Sequence, residues 1–328
     1  MLLRPAVAVF LAALTLSACE PSTECADPIL LTTSGVDFAG EDVVYFWGPD
    51  GQEERLDTGL VSQAGVLSPD GDMVAFAQPL GPVDPEYGWP AQWVVVLSLG
   101  TGEITPLSDA DEDVHVSDIQ WSGDGSQVAF ERRRNGRREI VAVRADGTGE
   151  RVLLELSDRQ EGGFAWSSDG EQLLVPTAQY SPTFGEYPEP GEAGPPTELW
   201  LHEVDTGEHE VVPTPHERIY MQSWAPDGRL LAMAATTIEP GSSGTERLYV
   251  FDLESGTTTA VDRRRGAAVT PTWSGPYLLY VQRPNGEGND DQQLMRWDSR
   301  TQEREQVDRP GLSDDPNTHT AISAPRCS

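Results

Sequence analysis

The groups in this 328-residue chain that could do chemistry are five histidines, three cysteines and a large surplus of carboxylates. His115, His202, His209, His216 and His319 form no His-Glu-x-x-His pair, and none stands near a cysteine at a zinc spacing. No Gly-x-Ser-x-Gly elbow offers a nucleophilic serine, and no glycine-rich loop is built to cradle phosphate. Asp109-Ala-Asp111-Glu-Asp113 opens like a calcium loop, with carboxylates at every second position. Val114 then stands where the sharp turn needs glycine, and Gln120 where a bidentate glutamate should close the cage. A solvated acidic loop is the expectation, calcium is the one ligand ion worth testing, and no other cofactor is implied. With 54 Asp+Glu in the chain, carboxylate pairs arise by composition alone and none can be singled out as acid and base.

The charge itself excludes more than the motifs do. All 22 basic residues are arginine, the formal net charge is −32, and the pI is about 4.3. Such a body repels phosphate backbones and anionic headgroups, so nucleic acid is not an expected partner. Two arginine clusters interrupt the acidity: Arg132, Arg133, Arg134, Arg137 and Arg138, then Arg263, Arg264 and Arg265. Each reads either as a solvated turn balancing nearby acids or as a patch for an anionic partner. Nine tryptophans and 38% hydrophobic residues supply a core, while 32 glycines and 26 prolines call for many turns and few long helices.

The N-terminus carries an address. Arg4 precedes an apolar run from Ala6 to Leu16, and Leu16-Ser17-Ala18-Cys19 follows. The pattern is that of a secretory signal peptide over residues 1–18, too short for a stable membrane span. The last four residues resemble a bacterial lipobox, which implies acylation of Cys19 and a lipidated tether over residues 19–28. The expectation is an exported lipoprotein held by its lipid alone, at the outer membrane or periplasm if the cell is Gram-negative. An ordinary signal peptide cleaved nearby is the alternative.

The elements that must position any site come from an internal repeat. VLSPDGDMVAFAQ, QWSGDGSQVAFER, AWSSDGEQLLVPT and SWAPDGRLLAMAA share one plan, and TWSGPYLLYVQ keeps it without Asp-Gly. Leu67, Trp121, Trp166, Trp224 and Trp273 occupy its tryptophan position, at intervals of about 50 residues. Each copy is a strand, a tight turn that tolerates positive φ, and a second alternating strand. A second hairpin interleaves, as in ELWLHEVDTGEHEVV and RLYVFDLESGTTTAV. Four strands per unit is the signature of a β-propeller blade. The Trp-Ser-x-Asp-Gly phrase resembles the WD40-like (PD40) repeat of TolB-type propellers, over roughly residues 29–324. The extra domain that TolB carries ahead of its propeller, and the hydrolase domain of prolyl-oligopeptidase-type enzymes, are not expected here.

Six second-type hairpins and five first-type hairpins predict an all-β, six-bladed propeller over residues 29–328, closed by pairing of the N- and C-terminal strands. Cys25 and Cys327 fall at the broken turn of that composite blade. In an oxidising compartment a disulfide between them would close a long loop, worth roughly 4–5 kcal/mol in the chain-entropy model. Tight turns gather on one face of the ring and long insertions on the other. Residues 79–92, 178–197 and 283–291 form those insertions, and they carry Tyr87, Trp89, Tyr180, Phe184 and Tyr187. Aromatics on long loops of a rigid scaffold suggest a binding face, with both arginine clusters beside it. The function expected is a monomeric, non-enzymatic binding or scaffold module for an envelope protein or glycan. A propeller hydrolase or lyase acting on a glycan or small ester at the channel is the alternative.

Overall fold

The computed structural model describes residues 29–35, 43–47, 53–56, 63–83, 90–111, 113–157, 163–177, 198–214, 218–237, 245–262, 268–282, 292–307 and 318–323. In chain order, β1 (Ile29–Gly35), β2 (Val43–Trp47) and β3 (Glu53–Leu56) come first. The first blade follows, with β4 (Gln63–Leu67), β5 (Met73–Val83), β6 (Pro90–Ser98) and β7 (Ile104–Pro106). The second is β8 (Val114–Trp121), β9 (Gln127–Arg134), β10 (Arg137–Arg144) and β11 (Arg151–Leu156). The third is β12 (Ala165–Trp166), β13 (Gln172–Thr177), β14 (Glu198–Glu203) and β15 (His209–Pro213). The fourth is β16 (Arg218–Trp224), β17 (Leu230–Thr237), β18 (Thr245–Asp252) and β19 (Thr257–Ala260). The fifth is β20 (Ala268–Ser274), β21 (Tyr277–Gln282), β22 (Gln293–Asp298) and β23 (Arg304–Gln306), and β24 (Thr318–Ser323) ends the described chain. Each blade is an antiparallel meander of four consecutive strands.

The expected six four-stranded blades are corrected to five. Five sheets are each built from four strands consecutive in the chain. The terminal strands form a further sheet, ordered β24-β1-β2-β3, with Leu30 opposite Ser323 and Gly35 opposite Thr318. That sheet draws its strands from both ends of the chain, whereas each of the five blades is one consecutive run.

Apolar layers lie between successive blades, and a tryptophan anchors each. Trp121 packs with Ala75, Val94 and Val96 of the first blade, Trp166 with Ala129 and Ile140 of the second. Trp224 packs with Leu174 and Leu199 of the third, and Trp273 with Leu248 and Val250 of the fourth. All four are nearly inaccessible to water, and burial of so large a side chain contributes about 3 kcal/mol. The middle strands are therefore buried on both faces, as in β13 and β21, whereas the outermost β11, β15 and β23 are largely exposed.

Hydrogen bonds index one blade against the next. The indoles of Trp121 and Trp273 donate to the Val66 and Ser223 carbonyls, one blade back, at 2.8 and 3.0 Å. Trp166 and Trp224 donate instead to Gly170 and Gly228 in their own turns. Those turns are self-contained: the Ser68, Ser122 and Ser167 hydroxyls each donate to the aspartate two residues on. Gly123 is needed for close approach, because a Cβ there would lie 1.9 Å from the Ser168 carbonyl oxygen of the neighbouring blade.

Candidate functional site on the channel wall

The first strand of each blade is innermost, so its solvent-facing side chains line the axis of the ring. In β8 the regular alternation breaks. Ser117 pairs with Glu131 and Gln120 with Ala129, so Asp118 and Ile119 together oppose a single residue of β9. This bulge turns two successive side chains, Ser117 and Asp118, toward solvent. Asp118 adopts φ 52°, a left-handed conformation that aspartate and asparagine tolerate better than most residues. The inner strands of the first, fourth and fifth blades carry bulges at comparable places, and the third has Gly163 at φ 94°. The bulge belongs to the repeat; the carboxylate belongs to the second blade.

Asp118 combines contact with water and deep enclosure, as a channel wall does. The surrounding protein disfavours its charged form and the nearby Glu131 carboxylate adds repulsion. Hydrogen bonds from the Ser117 hydroxyl and the Gly163 backbone N–H, together with the Arg138 charge, act in the opposite direction. Burial wins, and the carboxyl is pushed up to about 6. Glu131 itself is 7% exposed and is held by Arg138, whose Nε and Nη2 both donate to Oε1 at 2.7 Å. The site thus offers one carboxyl that exchanges its proton near pH 6, beside a second that is already committed.

A separate cluster lies on the outer half of the third blade. His202 and His209 face each other across β14 and β15, with ring centres 5.1 Å apart, and Trp200 stacks on His209 at 4.3 Å. Burial first, and the His209 charge second, hold His202 down to about 4. Sequence reasoning passed over this pair by looking only for ligand spacing along the chain. The signal was present in the hairpin frame, where His202 takes the place of Leu97, Phe251 and Trp297.

Of the residues singled out in the sequence, Leu67, Trp121, Trp166, Trp224 and Trp273 are buried as repeat anchors. The second-blade arginines do sit at a hairpin tip, but much of their charge is matched locally. Arg132 bridges Glu139 and Glu150, Arg134 reaches Asp111 at 2.6 Å, and Arg138 holds Glu131. Arg133 is half-buried and Arg137 exposed. Asp111 Oδ2, which a calcium loop would use as a ligand, accepts the bond from Arg134. Cys19, Cys25, Cys327, Tyr87, Trp89, Tyr180, Phe184, Tyr187 and Arg263, Arg264 and Arg265 lie outside the described residues. The arm that leads to Tyr87 and Trp89 is partly described: β5 runs eleven residues and β6 nine, and Ala91 and Gln92 within it are buried.

The sequence of residues 105–310 matches the model of the prolyl oligopeptidase N-terminal beta-propeller domain. The chain belongs to that propeller family. No curated protein matches the sequence. Among solved structures, TolB from Acinetobacter baumannii superposes with a TM-score of 0.66 at 14% identity, covering 92% of this chain and 67% of TolB. A chain of a nidogen/laminin complex gives 0.59 at 12% identity, covering 91% of this chain and 100% of the other. An oligogalacturonate lyase in complex with manganese gives 0.54 at 17% identity, with 85% and 72% covered. Likeness at these identities shows the TolB-type propeller fold and leaves the activity to the site. One fold thus recurs in a chain of a nidogen/laminin complex and in a lyase, and fold alone assigns no function.

Proposed function

We propose that the protein is an exported propeller, tethered by lipid on Cys19, that binds a protein or glycan partner in the cell envelope. The observation that favours binding over catalysis is Asp118, a water-reached carboxyl whose neighbour Glu131 is engaged by Arg138. A carboxyl of this kind, with no second uncommitted acid or base beside it among the described residues, recognises hydroxyl and amine groups. Cleaving an ester or a glycosidic bond requires a second acid, base or nucleophile at the reacting atom. The self-bonded turns and the interlocked blades suit a scaffold that holds this carboxyl and the β5–β6 arm in fixed relation. A similar fold in a nidogen/laminin complex lends the reading an analogy. β1 and β24 run antiparallel with Leu30 opposite Ser323, and a disulfide between Cys25 and Cys327 would tie the segments that continue from those ends.

Cross-linked capture from detergent-solubilised envelope tests the proposal. The wild-type chain should retain one partner, and both Asp118→Asn and deletion of residues 178–197 should reduce its recovery. Equal capture by the wild type and both variants would remove the binding reading. Cys19→Ser should release the body from the membrane, and unchanged retention would remove the tether. Non-reducing peptide mapping should join Cys25 to Cys327; free thiols at both would remove the staple.

A further inference from the structure

Blade architecture makes the environment of His202 anomalous. One residue before the carbonyl that closes the turn (Ser98, Asp252 and Asp298), the first, fourth and fifth blades place Leu97 opposite Ile104, Phe251 opposite Thr258 and Trp297 opposite Arg304. The inner member of each pair is a buried apolar side chain. The third blade places His202 there, 5% exposed, opposite His209. Among the described residues neither ring nitrogen of His202 has a hydrogen-bond partner, although an imidazole always carries at least one N–H. Leaving such groups buried and unsatisfied is costly, and a hydrophobe is what the fold uses at this place.

The backbone next to the pair explains how the two rings meet. Glu203 N–H donates to the Glu208 carbonyl and Gly207 N–H to the Glu203 carbonyl, closing the turn. His202 and His209 are the next pair along the ladder, a non-hydrogen-bonded position where side chains stand closest. Stacking on Trp200 fixes the His209 ring, with planes 6° apart, while burial fixes His202. A metal about 2.0–2.1 Å from one nitrogen of each ring lies about 3.2 Å from the ring centres, which a tetrahedral angle then sets about 5 Å apart. The observed separation is 5.1 Å.

We propose that His202 and His209 form a two-imidazole site for a divalent transition metal, with water completing the shell. Imidazole nitrogens select zinc, nickel or copper over calcium and magnesium. The site lies on the outer half of the third blade and does not depend on the channel reading.

Titration of the full chain with Zn2+ or Ni2+ alone, followed by calorimetry and by thermal unfolding, tests it. One equivalent should bind and raise the unfolding midpoint. His202→Phe and His209→Thr install the pair that the fourth blade carries, so both should fold. Each should weaken binding at least about tenfold by removing half of the protein ligands, whereas His115→Asn should leave it unchanged. Cu2+ should also quench a component of the tryptophan emission that Trp200→Phe removes. Absence of stoichiometric binding in the wild type, or binding retained in both histidine variants, would overturn the assignment.

Discussion

Gln120 holds the second blade to the third through one carboxamide: Oε1 accepts the backbone N–H of Trp166 at 3.0 Å, and Nε2 donates to the Phe164 carbonyl. Both backbone groups flank the buried ring that anchors this interface. Gln120→Ala leaves a donor and an acceptor without partners at a place water reaches poorly. The expected loss is about 1–3 kcal/mol for each group left unsatisfied. Urea unfolding should show a lowered midpoint with an unchanged slope; a midpoint equal to wild type would mean that solvent replaces the clamp.

Two arginines of one hairpin separate buried from exposed charge. The side chains of Arg138 and Glu131 are 15% and 9% exposed, whereas those of Arg134 and Asp111 are 45% and 29% exposed. Arg138→Leu strands a buried carboxylate and should cost about 3–5 kcal/mol. Arg134→Leu removes a surface pair and should cost about 0–1 kcal/mol. Adding Glu131→Leu to Arg138→Leu should recover most of the first loss. Equal effects of the two single changes would contradict the burial difference.

Gly123 and Gly136 make a second contrast. An alanine Cβ at 123 would strike the Ser168 carbonyl oxygen, and the Ser168 hydroxyl is itself bonded to Pro226 in the fourth blade. At 136 the surroundings are open and only the φ of +74° opposes a side chain, at a cost of about 1–2 kcal/mol. Gly123→Ala should therefore lower the thermal midpoint well beyond Gly136→Ala. A reversed order would place the inter-blade contact elsewhere.

The fold was legible because each blade repeats one local solution. A tryptophan, a tight turn and the apolar run after it recur in the sequence, with Asp-Gly in the turn of all but the fifth blade, and carry the interfaces built around Trp121, Trp166, Trp224 and Trp273. The channel site was hidden because Asp118 gains its character from a bulge and from Glu131, which lies thirteen positions away in sequence and across the ladder. His202 and His209 read as two scattered histidines until the hairpin register set them opposite each other. The arginine tip shows the converse. Its composition left a turn balancing nearby acids and an anion patch both open, and Glu131, Glu139, Glu150 and Asp111 meet much of that charge from neighbouring strands and loops.

Asp118 supplies the pH prediction. Its carboxyl is raised from the ordinary 3.8 to about 6 in the folded chain. Between those values the native state binds more protons than the unfolded state, so this group's contribution is full below about pH 4 and is lost as pH rises through about 6. Asp124 and Asp169 are lowered by their serine and backbone hydrogen bonds and act with the opposite sign, so the wild-type profile alone is a composite. Asp118→Asn isolates the group. Asparagine accepts the φ of 52°, keeps an oxygen for the Gly163 N–H and carries no charge at any pH. Relative to wild type, the variant should be about equally stable near pH 4 and more stable at pH 7 to 8, with the difference growing through pH 6. Denaturant unfolding across that range measures the difference curve, and carboxyl resonances followed by NMR should show one aspartate titrating near 6 in the wild type alone. A flat difference curve, or one that grows toward acid, would mean that Asp118 is not held protonated by the channel wall.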